Sequence, residues 1–421
     1  MGFVKTPVKG MNDILPKDMR VRQHVLSLIR KSYAAYGFSE IETPCMENIG
    51  NLTGKQGGEN EKLIFKVMKR GAELERAIAD GKGEYADLGM RYDLTVPLSR
   101  YYAAHSGELA VPFKALQIGP VWRADRPQKG RFRQFVQCDI DVLGDESSLA
   151  EIELISATSC TLHSIFSEVG IERFTVHVND RRILRAMVLY AGFDAEACDT
   201  VFIELDKMDK IGKDGVRESL VSLGYAETAV DKYLALFDET EKSIDCKTFC
   251  DMLGEHLDAR VSEGLETILF CTRAMIPESV SLVFDPTLVR GMSYYTGTIF
   301  EITVDEYNFS VGGGGRYDEM IGKFSGQRVP ACGFSLGFER IVTILRDMPE
   351  IKINDGVRRV ALLLDGKLSR EETEHAFRRA AALRAEGAIV TVEPLKKNAK
   401  FQMDKLQEEG YTEIERLYPS R

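Results

Sequence analysis

Apolar residues recur at helical spacing over residues 18–36. Val21, Val25, Leu28, Ile29 and Tyr36 fall on one stripe, and Gly37 supplies a C-terminal stop. Residues 38–43 then read as a strand halted by Pro44. From there to about 165 the pattern predicts mostly strand, with helices near 94–104 and 147–165. Residues 171–275 are different: helix-rich, with charged clusters such as Asp206-Lys207-Met208-Asp209-Lys210, they predict an inserted helical domain. Strand patterns return at 279–284, 294–304 and 331–336, followed by a helix near 337–347. The pieces before and after the insertion, 1–170 and 276–347, are expected to form one discontinuous core. Residues 348–356 read as a linker. Over 357–421 a β-α-β-α alternation, with stops at Gly387 and Gly410, predicts a small α/β domain with a parallel sheet.

Composition narrows the class. The chain has 421 residues, 44% of them hydrophobic and 29% charged, which is ordinary globular usage and room for several domains. No apolar run approaches the roughly 18 residues of a membrane span, and the first residues carry no apolar signal core. The formal charge of −10 argues against a uniformly nucleic-acid-coating surface, although local basic patches remain compatible with it. The eight Cys are scattered without a C-x-x-C pair, so they read as reduced thiols in a cytoplasmic setting rather than as disulfides or a zinc knuckle. The six His show no metal-ligand spacing.

Residues 117–143 (QIGPVWRADRPQKGRFRQFVQCDIDVL) carry the clearest chemistry. Period-two alternation points Arg133, Phe135, Gln137, Asp139 and Asp141 to one side, and Val136, Cys138, Ile140 and Val142 to the other. The preceding strand puts Arg123 and Asp125 on a single face, and a basic turn, 126–131, separates the two runs. A hairpin would bring these polar faces together. A solvated sheet face would normally carry Lys, Glu and Thr; here Arg offers a fork for phosphate, Phe a stacking surface, and Asp and Gln acceptors for amines or ring nitrogens. Two further stretches stand out. Four consecutive glycines, 312–315, precede Arg316-Tyr317-Asp318; by propensity they predict a loop that lets backbone approach a ligand closely. The run LVRGMSYYTGTIFE, 288–301, sets Arg290 between apolar residues and Gly, just before Tyr294 and Tyr295. Arg340 falls in the first turns of the 337–347 helix, where the dipole favours an anionic partner. The chain has no phosphate-cradling G-x-x-x-x-G-K-[ST] loop, so any nucleotide must be held by Arg side chains and metal.

Taken together these stretches resemble the histidyl-tRNA synthetases, a family of class II aminoacyl-tRNA synthetases. Residues 37–44 look like motif 1, 117–143 like motif 2 and 333–340 like motif 3. LVRGMSYYTGTIFE and GGGRYDEMIG are similar to the two histidine signatures, and KGMNDILP at 9–16 fits the family's N-terminus. The resemblance implies an α+β core with a six- to seven-stranded antiparallel sheet flanked by helices, the helical insertion, and a C-terminal anticodon-binding-like domain that reads as shortened. It implies that histidine and ATP give histidyl-adenylate and pyrophosphate, after which histidine passes to tRNA(His). By motif match, Arg123 would act at the α-phosphate, Asp125 and Phe135 at adenine, Arg131 at the γ-phosphate and Arg340 on the far side of the base. Arg290 would act at the α-phosphate, beside the histidine. Asp93, Thr95 and Gln137 would hold the α-amino group; Asp141 and Tyr295 would pair the ring nitrogens, with Tyr294 and Tyr317 completing the pocket. Gln128, Lys129 and Arg133 would touch the tRNA acceptor end. Mg²⁺ is implied on the phosphates and a homodimer through motif 1.

The chain departs from the commoner family pattern at Ser293 (Asp), Val136 (His), and Asp93 and Asp141 (Glu), the last two as in the eukaryotic-type branch. A non-catalytic, histidine-sensing paralogue such as the ATP phosphoribosyltransferase regulatory subunit is the competing reading. It needs the histidine pocket but neither the phosphate-binding Arg set nor the basic turn.

Overall fold

The computed structural model describes residues 3–53, 60–127, 130–240, 245–290, 294–307, 309–348 and 357–420. Gln128, Lys129 and Ser293, and nearly all of the 348–356 segment, lie outside the described residues. The chain divides into two units, Met1–Asn12 with Leu28–Pro349, and Asp13–Ser27 with Glu350–Arg421.

The first unit contains β1 (Ser39–Ile41), β2 (Met46–Asn48), β3 (Lys66–Met68), β4 (Ala86–Met90), β5 (Phe113–Trp122) and β6 (Gln134–Leu143). It continues with β7 (Phe174–Asp180), β8 (Val280–Phe284), β9 (Thr298–Thr303), β10 (Ser310–Arg316) and β11 (Ala331–Leu336). Eight of these make one sheet in the order β1-β5-β6-β11-β10-β9-β7-β8; β2, β4 and β3 form a small separate sheet. The large sheet is antiparallel from β5 to β7, and its edge pairs β1/β5 and β7/β8 are parallel. The sheet is thus wider than the resemblance implied, and mixed at both edges.

The two faces of β6 differ chemically, and that difference builds the core. Cys138, Ile140 and Val142 are fully buried on one side. Helix Leu149–Ser167, buried around most of its circumference, packs on β6 and β11. Phe300 and Phe334 stack at 4.7 Å between centroids. The end of helix Pro16–Ala35 reaches this layer through Tyr33, whose hydroxyl lies 3.4 Å from Thr158 Oγ1.

Three expectations are corrected. Gly312–Gly315 is not a loop but the body of β10, between β9 and β11. Residues 174–180, expected in the helical insertion, are a sheet strand paired to β8 and β9; the helical run begins at Arg181 and ends at Arg273. Helix Gly71–Asp80 falls in a region expected to be strand; none of its residues is buried, so no core-facing stripe marks it.

In the second unit, β12 (Arg359–Leu364) is flanked by β13 (Ile389–Pro394) and β14 (Glu413–Leu417), all parallel. β12 is covered on both faces: Val360 and Leu362 pack with Ala380 and Val390, while Ala361 and Leu363 pack with Leu406. That explains its unbroken apolar run. Helix Arg370–Ala385 opens on a capping box between Ser369 and Glu372. The third strand, β14, adds to the β-α-β-α alternation expected from sequence.

Candidate active site

Strand register assembles the polar face. One row across the sheet runs Gln117, Asp139, Ser335, Gly313, Glu301 and His177; the next runs Ala115, Asp141, Gly333, Gly315 and Ile299. Residues directly paired across strands share a face. The missing side chains of the glycines leave room above the sheet. A Cβ on Gly313 would lie 2.6 Å from the Arg290 guanidinium, and one on Gly333 would lie 1.9 Å from Asp141 Oδ1. A Cβ on Gly314, on the other face, would lie 2.0 Å from the Gly333 carbonyl oxygen. Glycine in β10 is therefore demanded by its neighbours rather than by its own backbone.

Above this face lies a cavity of about 660 Å³. Its lining includes Arg123, Asp125, Arg131, Phe135, Arg290 and Arg340, and also Asp93, Thr95, Gln137, Asp141, Tyr294, Tyr295 and Tyr317. Every described residue expected at the nucleotide or amino-acid site is thus brought to one place. Arg133 is not among the lining residues: its Nε donates to the Asp125 carbonyl at 3.0 Å, and its stem fills the space a Gly10 side chain would take.

Part of the lining is cationic. The Arg123 guanidinium lies over the rings of Tyr92 and Phe135, 4.3 and 5.1 Å from their centroids, with Nε donating to the Tyr92 carbonyl at 3.1 Å. Arg340, in helix Phe338–Asp347, donates to the Ser310 carbonyl at 2.7 Å and lies 5.5 Å from the Phe309 ring. Burial, and then the nearby charge of Arg131 with Arg290 and Arg123 behind it, lower the Arg340 pKa. Cations that destabilise one another in this way form a site for an anion. Arg290 is ion-paired to Glu301, while its buried Nε has no hydrogen-bond partner among the described residues. Burial opposes its charge, but Glu301 and Tyr295 outweigh that and hold its pKa above the ordinary value.

Another part of the lining is acidic and aromatic. Tyr317 Oη donates to Asp141 Oδ1 at 2.6 Å. Burial lifts the Asp141 pKa to about 7, against the pull of the Tyr317 hydrogen bond, and Asp93 adds to the rise. Asp93 Oδ1 accepts from the Val96 N–H at 3.0 Å, at the start of helix Thr95–His105; burial raises this carboxyl too. Tyr294 packs edge-on against Tyr295 and Tyr317, with centroids 4.8 and 6.0 Å apart, and burial raises all three phenols. Gln137 Nε2 donates to Ser335 Oγ at 2.9 Å. The arrangement can grip a polyanion and, beside it, a small nitrogenous group.

Sequence reasoning gave no role to Glu301, Ser335, Ser310 or Phe309, all of which line the cavity, nor to Asp206 and Lys210 of the helical segment. Asp206 and Lys210 sit in the charged cluster that marked that segment, and Glu301 closes the run that begins at Leu288; each had a signal but no partner visible in one dimension. Arg316, beside the glycine strand, is structural: it is ion-paired to Glu151 and Asp318 and donates to the carbonyls of Asp145 and Ser147.

Comparison with known proteins agrees with this geometry. The family model described as histidyl-tRNA synthetase matches residues 10–341. A histidine–tRNA ligase of Leifsonia xyli subsp. xyli is 44% identical over 421 residues, covering 96% of this chain and 94% of that protein. One from Bacteroides fragilis is 38% identical over 400 residues, covering 90% and 85%. The crystal structure of histidyl-tRNA synthetase from Nostoc sp. PCC 7120 superposes with a TM-score of 0.78 at 25% identity, covering all of this chain and 92% of that one. A Bacillus halodurans structure described as an ATP phosphoribosyltransferase regulatory subunit/histidyl-tRNA synthetase shares the fold, with a TM-score of 0.76 at 20% identity. With its arginine-lined cavity, its histidine signatures and these relatives in agreement, the chain belongs to the histidyl-tRNA synthetase family.

Proposed function

We propose that this chain is a histidine–tRNA ligase. The histidine carboxylate attacks the α-phosphorus of ATP, forming histidyl-adenylate and releasing pyrophosphate. The 3′-terminal ribose hydroxyl of tRNA(His) then takes the histidyl group and AMP leaves. One observation carries the reading: guanidinium groups from three separate stretches, Arg123 with Arg131, Arg290, and Arg340, line one cavity together with Asp93, Asp141 and three tyrosines.

The chemistry asks for positioning and charge stabilisation more than for proton transfer, because the nucleophile is already ionised. Arg123 and Arg290 meet the α-phosphate, where attack brings two anions together; one well-placed donor at such a centre is worth about 3–4 kcal/mol. Phe135 and Arg340 sandwich adenine with Asp125 at its edge, and Arg131 meets the γ-phosphate. Asp93, Thr95 and Gln137 hold the α-amino group. Asp141 and Tyr295 pair the two imidazole nitrogens, and Tyr294 and Tyr317 wall the slot. A pocket that pairs both nitrogens rejects apolar isosteres by roughly 10⁴–10⁵, so no editing step is required.

Mg²⁺ is expected with the nucleotide and would neutralise phosphate charge there. Glu301 and Glu339 line the cavity, but no cluster of three or more His, Cys, Asp or Glu side chains suited to a cation occurs among the described residues. That donor set fits an ion held mainly by substrate oxygens. The catalytic body takes in 1–12, 28–170 and 276–347 with Phe174–Asp180 added, residues 13–27 falling in the second unit; the helical segment is an insertion and 357–421 the anticodon-side domain. Gln128, Lys129 and Arg133 belong to the turn that meets the acceptor end. The protein acts in the cytoplasm as a homodimer through the 37–44 region. No helix among the described residues is long and apolar enough to cross a membrane.

Histidine-dependent exchange of pyrophosphate into ATP by the purified protein tests the reading. Exchange is expected with histidine alone among the amino acids, and Arg290→Ala lowers kcat about 10²–10³-fold. Intact histidine binding without exchange would instead favour the sensing paralogue.

A further inference from the structure

Asp139 stands in the cavity with a buried oxygen unpaired among the described residues. The residue is 4% exposed, and the unpaired oxygen is Oδ1. Its Oδ2 is 3.4 Å from Gln137 Nε2, a long contact. Gln137 Oε1, one step along the same face, is also buried without a partner. Both side chains line the cavity. Two unmet buried acceptors at one spot are unusual in a folded protein, because each forfeits its hydration without return.

The surroundings define what would satisfy them. Asp141 lies on the same face two residues on, and Asp93 lies within electrostatic reach. Burial, and then Asp141, push the Asp139 carboxyl well above the usual carboxylate range, while Ser335 favours its charged form. Arg123 is the cation acting on it, but that guanidinium is already engaged with Tyr92 and Phe135. A neutral donor would satisfy the hydrogen bonds and leave the charge repulsion in place. A compact cation with several N–H groups would satisfy both.

We infer that Asp139 is a substrate-binding residue that takes the α-ammonium group of histidine, sharing its three N–H donors with Gln137 Oε1 and Asp93. This rests on the reading that histidine is the substrate, and adds to it a second carboxylate, beside Asp93, as counter-charge for the amine. In that arrangement Asp139 discriminates by charge, whereas Asp141 and the tyrosines discriminate by ring.

Calorimetric titration of three ligands separates these roles: histidine, histidinol, which keeps the amine and lacks the carboxylate, and imidazole-4-propionate, which lacks the amine. Asp139→Asn is expected to weaken histidine and histidinol at least about thirtyfold, as loss of one member of a buried charge pair does. Imidazole-4-propionate should change by less than about threefold, and its binding also reports a folded pocket. Equal weakening of all three ligands would mark Asp139 as merely structural and overturn the inference; so would three unchanged affinities. Should Asp139→Asn not fold, Asp139→Ser is read by the same comparison. Failure of the unmodified protein to bind histidine would instead remove the function on which the inference rests, a result distinct from either outcome in the variant.

Discussion

At the scale of single residues, the site works through groups held away from their ordinary protonation. Asp141 titrates at about 7, raised by burial against the hydrogen bond from Tyr317. Below that pH it carries a proton; above it, it is the acceptor that an imidazole N–H requires. The KM for histidine should therefore fall as pH rises through about 7. Asp141→Asn should lose that step, leaving the substrate's own imidazole titration near 6.5. Stability moves the other way. The native pKa lies above the unfolded one, so the native state binds more protons between about pH 4 and 7, and stability falls as pH rises through that window. Ligand-free Asp141→Asn should accordingly unfold at a higher temperature than the parent at pH 8, with the gap closing toward pH 5. A parent less stable at pH 5 than at pH 8 by this comparison would show that the residue is not held as described. Sites that trade stability for function behave in this way.

At the scale of elements, the glycine strand shows most clearly what one sequence can and cannot reveal. β6 was legible because its two faces differ in chemistry, and period two exposes that without any neighbour. β10 was not, because glycine has poor intrinsic strand propensity and the reasons for it lie elsewhere in the chain: Arg290, Phe300 and the Gly333 carbonyl. The chemical identities of Arg123, Arg290 and Arg340 could be read, but their convergence depends on register across five strands. Asp139 was legible as a polar-face acceptor, but its want of a partner, like the place of Glu301, emerged only from that register. The same geometry separates two substitutions that look alike in sequence. An Ala at 313 meets the movable end of Arg290, so Gly313→Ala should keep its unfolding temperature within a few degrees. It should lose about 10²-fold in pyrophosphate exchange, as for a catalytic group displaced by about 1 Å. An Ala at 314 meets backbone, so Gly314→Ala should lose about 1–3 kcal/mol or more in thermal or urea unfolding. Similar behaviour of the two variants would contradict the close packing described for β10.

At the scale of the molecule, a net charge of −10 coexists with a cavity ringed by arginine. The overall field repels ATP and tRNA at long range, while the local cations attract them at contact. Salt screens the two effects differently. The Debye length is about 8–10 Å at physiological ionic strength, so the distant acidic surface is screened first and the partly buried arginines least. ATP, if seated among those arginines as proposed, should be little affected: pyrophosphate exchange should change by less than about threefold between 50 and 200 mM salt. On the proposed reading a tRNA is held differently, by exposed cations against a phosphate backbone with its condensed counterions. Each phosphate met releases counterions, and three such contacts predict roughly a twentyfold rise in the KM for tRNA over that fourfold change in salt. Measuring exchange and charging side by side, on one preparation across the same salt series, isolates the difference. A flat KM for tRNA would mean that the polynucleotide is not gripped through its backbone, and the role given to Lys129 and Arg133 would have to be withdrawn.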